Sequence, residues 1–423
     1  MVSAPLFPRY LRENILDALS DTPVVLLHGP RQSGKTTLAK EIGLPRGYAY
    51  LTFDDQGTLA RAKDDPVGFV ADLPDRVILD EVQKVPHLFS SLKLTVDENR
   101  QPGRFILTGS SNLLLAPKLS DSLAGRMEIL NLHPLAQCEI EVTRPDFLDQ
   151  LVAGGFRPWE GRRLGTELSK RIANGGYPPA FHLREGNRRV DWYRSYAESL
   201  IKRDIKDISR IHALDAIPKL LRAAAGQTAR LFNVSALSAP LELSRPTIKE
   251  YAHLLELIFL IDFVPAWSNS HLKRLIKSPK MHMKDTGLAL ALLEGDAETL
   301  HQDRDLLGQM AETFVYQELR RQASWRSDRL SFSHFRDQDG DEVDLVIEKG
   351  AFGVMGVEIK ASSTIGSSDF RGLRKLRDAT GKKFIAGAVL YDGNQTGRFG
   401  EGMFAVPISM LWASNLRTTK PAA

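Results

Sequence analysis

His28-Gly29-Pro30-Arg31-Gln32-Ser33-Gly34-Lys35-Thr36-Thr37 follows the apolar run Val24-Val25-Leu26-Leu27 and leads into Leu38-Ala39-Lys40-Glu41. Read in order, this is a strand, a loop with the spacing G-x-x-x-x-G-K-[ST] and no gap, and the start of a helix. Gly29 and Gly34 let the backbone curl so that successive N–H groups point inward. Those groups, with the helix N-terminus, form a cradle for anionic phosphates. The whole loop from Gly29 to Thr37 is therefore expected around the phosphates of ATP. Lys35 is expected to reach the β- and γ-phosphates, and the Thr36 hydroxyl to ligate Mg²⁺.

A second stretch supports the first. Arg76-Val77-Ile78-Leu79-Asp80-Glu81 is a short β-branched run ending in two acids, the pattern of a buried parallel strand. Asp80 at its end is expected beside the phosphate loop, holding Mg²⁺ directly or through water. Glu81 is then placed to polarise the attacking water as a general base. A third strand, Arg104-Phe105-Ile106-Leu107-Thr108-Gly109, runs into Ser110-Ser111-Asn112. Ser110 and Asn112 are candidates to sense the γ-phosphate, with an ordinary Gly-Ser turn as the alternative.

These segments, together with Ser122-Leu123-Ala124-Gly125-Arg126, resemble the AAA+ type of ATPase. The resemblance implies that Arg126 is an arginine finger completing the site of a neighbouring subunit, and hence a homo-oligomer. The alternative for Arg126 is a surface ion pair. No second arginine sensor is legible in the lid.

At 423 residues the chain is too long for one ordinary core. Its 43% hydrophobic and 26% charged residues fit a globular, ordered protein. The net charge of +4, from 56 basic and 52 acidic residues, permits contact with nucleic acid without arguing for it. Cys138 is the single cysteine, which excludes an internal disulfide or a cysteine-based metal cluster. The N-terminus lacks a basic region followed by an apolar core, and no stretch is apolar enough to span a membrane. A cytoplasmic protein with no membrane partner is expected.

The expected fold class is α/β, in four parts: an ATPase core over 1–160, a helical lid over 161–228, a helix-turn-helix segment over 229–285 and a C-terminal α/β domain over 286–423. In the third part, Ser244 caps a helix with Pro246 in its first turn, and Ile248, Tyr251, Leu254 and Leu255 give it one apolar face. With a β-wing to follow, the segment resembles a winged helix-turn-helix. That resemblance implies DNA contact through Arg245, Thr247 and Lys249; packing between domains is the alternative.

The fourth part carries acids of its own. Glu312 lies within an amphipathic helix, Asp344 on a strand, and Glu358 and Lys360 on the next strand, where period-two alternation puts them on one face. Helix acid, acidic strand and E-x-K strand together resemble the PD-(D/E)xK nuclease fold. The resemblance implies Mg²⁺ on Asp344, Glu358 and the Ile359 carbonyl, with Glu312 completing the site and Lys360 acting on the attacking water. Between parts three and four, Lys277-Ser278-Pro279-Lys280-Met281-His282-Met283-Lys284-Asp285-Thr286-Gly287 reads as a basic strand, an Asp-Thr cap and a helix start.

The leading expectation is an oligomeric, Mg²⁺-dependent ATPase acting on DNA. Two others stay open: a nucleotide-gated assembly switch indifferent to DNA, and a metal-dependent nuclease regulated by ATP.

Overall fold

The computed structural model describes residues 6–110, 123–183, 186–205, 215–269, 274, 277–351 and 353–413. Five strands, β1 (Val24–His28), β2 (Ala49–Thr52), β3 (Val77–Asp80), β4 (Phe105–Gly109) and β5 (Met127–Asn131), form one parallel sheet in the order β2-β3-β4-β1-β5. The central strands β1, β3 and β4 are buried at every position, which is why their sequences read as unbroken apolar runs. Apolar clusters fill both faces of the sheet. Val24, Leu26, Leu79 and Leu107 pack on one side, and Val25, Leu27, Ile78 and Ile106 on the other. This mixed α/β architecture with a parallel central sheet is that of a P-loop ATPase core. Parallel alignment brings the C-terminal ends of β1, β3 and β4 to one edge, so the phosphate loop, Asp80-Glu81 and Ser110 meet there although they are far apart in the chain.

Beyond this sheet the chain turns helical. Helices Thr166–Asn174, Asn187–Leu200 and Ala216–Gly226 lead to a helix pair, Val234–Leu241 and Arg245–Leu257. The second of the pair starts as its sequence indicates, with Ser244 Oγ accepting from the Thr247 N–H at 3.3 Å and proline in the first turn. Three short strands, β6 (Arg230–Leu231), β7 (Ile261–Val264) and β8 (Lys280–Met283), form an antiparallel sheet with β8 in the middle. Asp285 then caps the helix Thr286–Leu292, accepting from the Leu288 N–H at 3.1 Å.

The C-terminal sheet has six strands: β9 (Leu330–Arg336), β10 (Glu342–Lys349), β11 (Gly353–Lys360), β12 (Phe384–Tyr391), β13 (Gly397–Arg398) and β14 (Met403–Pro407). Its order is β13-β14-β12-β11-β10-β9, with β11, β12 and β14 parallel. The helix Arg304–Ala323 packs on it, and its last turns also hold the segment that follows β5. There Glu318 Oε2 accepts from the Gln137 N–H at 2.9 Å, and Arg321 donates to the Leu135 carbonyl at 2.8 Å. The parts share a core: one apolar cluster runs from Tyr10 and Phe147 through Tyr177, Leu255 and Phe314 to Trp412. The stretch 147–165, read from sequence as the end of the ATPase core and the start of the lid, lies against the C-terminal sheet. Phe156 packs between Phe147, tilted, and Phe404, edge-on, and Asp392 accepts from the N–H groups of Leu164 and Gly165.

Candidate functional sites

The phosphate loop joins β1 to the helix Lys35–Gly43. Two glycines make its shape. Gly34 sits at φ +98°, and a Cβ on Gly29 would stand 2.2 Å from the Leu132 carbonyl oxygen. No other residue type fits both demands. Arg9 fastens the loop from outside, donating to the Ser33 carbonyl at 2.6 Å while pairing with Glu139 at 3.1 Å. Ser33 Oγ donates to the Pro30 carbonyl at 2.9 Å.

Lys35 is 5% exposed, and its ammonium donates to the carbonyls of Gly29 at 2.9 Å and Pro30 at 2.7 Å. Neutral carbonyls only partly replace lost water, so burial pulls its pKa down to about 8. Thr36 donates to Asp80 Oδ1 at 2.7 Å, and Tyr50 donates to Asp80 Oδ2 at 2.9 Å. Thr108 also donates to Asp80. The residues expected to hold Mg²⁺ thus touch each other, at the end of the strand beside β4.

Glu81 lies just past β3 at φ +60°, its N–H donating to Thr108 Oγ1 at 3.2 Å. Its carboxylate is engaged on two sides, by Arg31 at 3.4 Å and by the Gln83 amide. Gln83 in turn bonds Ser110, donating to its Oγ at 3.1 Å and accepting from its N–H at 3.3 Å. Arg31 Nε donates to both carboxylate oxygens of Asp204, at 3.0 and 2.9 Å, and Tyr196 donates to the Arg31 carbonyl at 3.1 Å. The loop is therefore wired to the helical region through Arg31. Asn112 lies outside the described residues. Arg126 is held within the chain by Asp97, with Nη2 to Oδ2 at 3.0 Å.

A cavity of about 510 Å³ opens beside the loop. Gln32, Gly34, Lys35, Thr36, Thr37 and Glu81 line its polar end, and Phe7, Pro178, Pro179 and His182 its apolar end. Phe7 packs against Phe181 at 5.6 Å and His182 at 6.1 Å between ring centroids. An anion-binding end and a flat apolar end suit a nucleotide. Sequence reading missed Arg9, Phe7, His182, Gln83 and Asp204. Of the segments that line the site, only Gly175-Gly176-Tyr177-Pro178-Pro179 carries a local signal, that of a rigid turn.

A second set of polar residues lies across the C-terminal sheet. Lys280, on β8 and 4% exposed, places its ammonium 2.7 Å from Glu312 Oε1 and 3.2 Å from Asp344 Oδ1. Burial opposes that charge, yet the carboxylates of Glu312 and Asp344 outweigh it and hold the lysine's pKa above its ordinary range. Asp344 Oδ2 accepts from the Ile359 N–H at 2.9 Å, and Lys360 donates to Glu358 Oε1 at 2.7 Å. So Glu312, Asp344, Glu358 and Lys360 do converge, but around a lysine. Divalent metals need oxygens at about 2.0–2.6 Å. Among the described residues, no group of three or more His, Cys, Asp or Glu is arranged to hold a metal ion. As arranged, these acids fit an ammonium and not a metal.

A third feature is an open groove of about 630 Å³ lined by Asn233, Ser235, Arg245, Lys249, Lys277 and Ser278. Arg245 and Lys249 are exposed on the helix Arg245–Leu257, and Thr247 is half-buried between them. Among the described residues, no helix is long and apolar enough to cross a membrane.

Residues 21–141 match a family described as an AAA domain. Residues 165–299 match a domain of unknown function (DUF8612), and residues 307–411 another (DUF4143). The chain is similar to Uncharacterized protein Rv2008c of Mycobacterium tuberculosis and Uncharacterized protein Mb2031c of Mycobacterium bovis. Each is 28% identical over 397 residues, covering 93% of this chain and 82% of the relative. Among solved structures, the Walker-type ATPase PABY2304 of Pyrococcus abyssi aligns over 68% of this chain and 96% of its own, with 16% identity and a TM-score of 0.43. The RuvB Holliday junction branch migration motor of Thermotoga maritima aligns over 61% and 90%, with 20% identity and a TM-score of 0.29. The AAA match falls on the parallel sheet and its phosphate loop.

Proposed function

We propose that this chain binds and hydrolyses ATP with Mg²⁺ and uses the cycle to act on DNA as a homo-oligomer. The observation that carries the ATPase reading is that Lys35 and Thr36 line one nucleotide-sized cavity, with Asp80 bonded to Thr36 behind them. Bound ATP supplies the γ-phosphoryl group, and Mg²⁺ its counter-charge. The chain's own residues do the rest. Lys35 exchanges its two loop carbonyls for phosphate oxygens, a stronger, charge-assisted partner. Thr36 and Asp80 hold the metal side. Glu81 orients and deprotonates water once it is released from Arg31 and Gln83. Arg126 leaves Asp97 to reach a neighbour's site. Arg126 is half-buried and Asp97 exposed, so solvent screens the pair and limits the cost of the exchange.

For DNA, the supporting observation is the groove lined by Arg245, Lys249 and Lys277. Cations lining one groove suit a phosphate backbone, and the helix pair with its three-stranded sheet is then a winged helix. The test is ATP turnover by the full chain with Mg²⁺, alone and with single-stranded, duplex and branched DNA, with Lys35→Ala as the control. Stimulation by one DNA form, absent in Arg245→Glu/Lys249→Glu, supports the reading. Turnover indifferent to every DNA form removes DNA from it.

A second reading, a nucleotide-gated switch, is favoured by the Arg31 bridge between Glu81 and Asp204. It couples the catalytic acid to the helical region without needing DNA. A metal-dependent nuclease draws no support from the C-terminal acids, whose centre Lys280 fills.

A further inference from the structure

We propose that Lys280 is the resident cation of the C-terminal acid cluster, an internal ammonium standing where the sequence resemblance implies a divalent metal. Three elements converge on it. Glu312 comes from the helix Arg304–Ala323, Asp344 from β10, and Lys280 from the separate three-stranded sheet. Its strand is pinned on both flanks: Lys280 pairs with Val264 of β7 and with Leu231 of β6. The ammonium is thus delivered by a rigid central strand and not by a loop that a metal pushes aside.

The oxygens are shared out in the same sense. Lys280 takes one oxygen each of Glu312 and Asp344, the Ile359 N–H takes the second oxygen of Asp344, and Lys360 takes one of Glu358. Two buried atoms aimed at this cluster lack a hydrogen-bond partner among the described residues, Glu358 Oε2 and His282 Nε2. His282 is fully buried with Nε2 3.8 Å from Glu312. They are unused ligands of the right kind, an oxygen and an imidazole nitrogen. Donor atoms are thus present in number, and the Lys280 ammonium occupies the place between Glu312 and Asp344. With Lys280 removed, three carboxylates and the Lys360 ammonium leave a formal charge that one divalent cation balances. The proposal does not depend on the ATPase reading.

The experiment titrates the nucleotide-free full chain with Mn²⁺, read by loss of the free-ion electron paramagnetic resonance signal. Wild type, Asp344→Asn, Lys280→Met and Lys280→Met/Asp344→Asn are compared. Wild type and Asp344→Asn are expected to bind Mn²⁺ alike. Lys280→Met is expected to gain one site, at least about tenfold tighter than any lost on adding Asp344→Asn to wild type. That site disappears in the double variant. If wild-type binding already drops about tenfold in Asp344→Asn, the metal and Lys280 coexist and the proposal fails; this arm needs no folded Lys280 variant. A Lys280→Met protein with wild-type circular dichroism that gains no site also overturns it.

Discussion

Lys35 and Lys280 are both buried lysines, each at a place where the sequence suggests phosphate or metal chemistry, and they sit in opposite circumstances. Lys35 rests on two neutral carbonyls of its own loop, and burial drags its pKa down to about 8. Lys280 rests on two carboxylates that satisfy its charge. The first is a cation awaiting an anion. The second already has its anions, and they are part of the fold. A buried charge held by poor partners marks a place where a ligand adds free energy. One held by full counter-charges marks a place where a ligand must displace something.

The comparison breaks if removal of the two charges has like effects. Lys280→Ala leaves buried carboxylates without a counter-ion and is expected to cost about 3–5 kcal/mol of stability, read by urea denaturation. Lys35→Met should do the reverse in the nucleotide-free protein. Lys35 titrates lower in the fold than in the unfolded chain, so its burial costs stability at pH 7. That cost fades as pH rises from about 8 toward its unfolded value of 10.5. Removing the charge is expected to raise stability at pH 7 by up to roughly 3 kcal/mol, with the gain shrinking above pH 8. Equal destabilisation by both variants contradicts the contrast.

Glu81→Gln separates binding from chemistry: ATP affinity is expected to stay near wild type while turnover falls on the order of 100-fold or more. Asp204→Asn loosens Arg31 without touching the cavity and is expected to change turnover about five- to tenfold, the size of an ordinary coupling. Proton linkage sharpens the contrast further. Phosphates raise the pKa of Lys35, so ATP binding above pH 8 takes up a proton. Affinity is expected to be flat below pH 8 and to weaken by up to about tenfold per pH unit above it. Calorimetry in buffers of different ionisation enthalpy measures the uptake. The smallest effect is on Arg126. Its exchange for Ala is expected to leave the thermal midpoint unchanged, because its partner Asp97 is exposed, while lowering turnover only where subunits assemble.

The half of the ATP site that was legible in the sequence is the half built by local geometry. Gly29, Gly34, Lys35 and Thr36 are contiguous, and their types are dictated by backbone conformation and phosphate chemistry. Asp80 was legible because an apolar strand ending in acids follows a phosphate loop in the same chain. Phe7, Arg9, His182 and Asp204 reach the same site from distant segments, and nothing near them in the chain marks them out. The C-terminal cluster shows the same limit in another form. Glu312, Asp344, Glu358 and Lys360 were found by alternation and spacing. Lys280 was read as part of a basic strand, because only the packing of β8 against the helix Arg304–Ala323 turns it inward. Tertiary structure decides whether a charge is a solvated side chain or a counter-ion.

The most direct measurement is ATP binding by calorimetry at pH 7 with Mg²⁺, comparing wild type with Lys35→Ala. Saturable 1:1 binding by wild type, weakened about 100-fold or more in the variant, is the predicted result. Equal affinity in both proteins, with the variant's fold intact by circular dichroism, would contradict the central claim that Lys35 is the cation awaiting a nucleotide's phosphates.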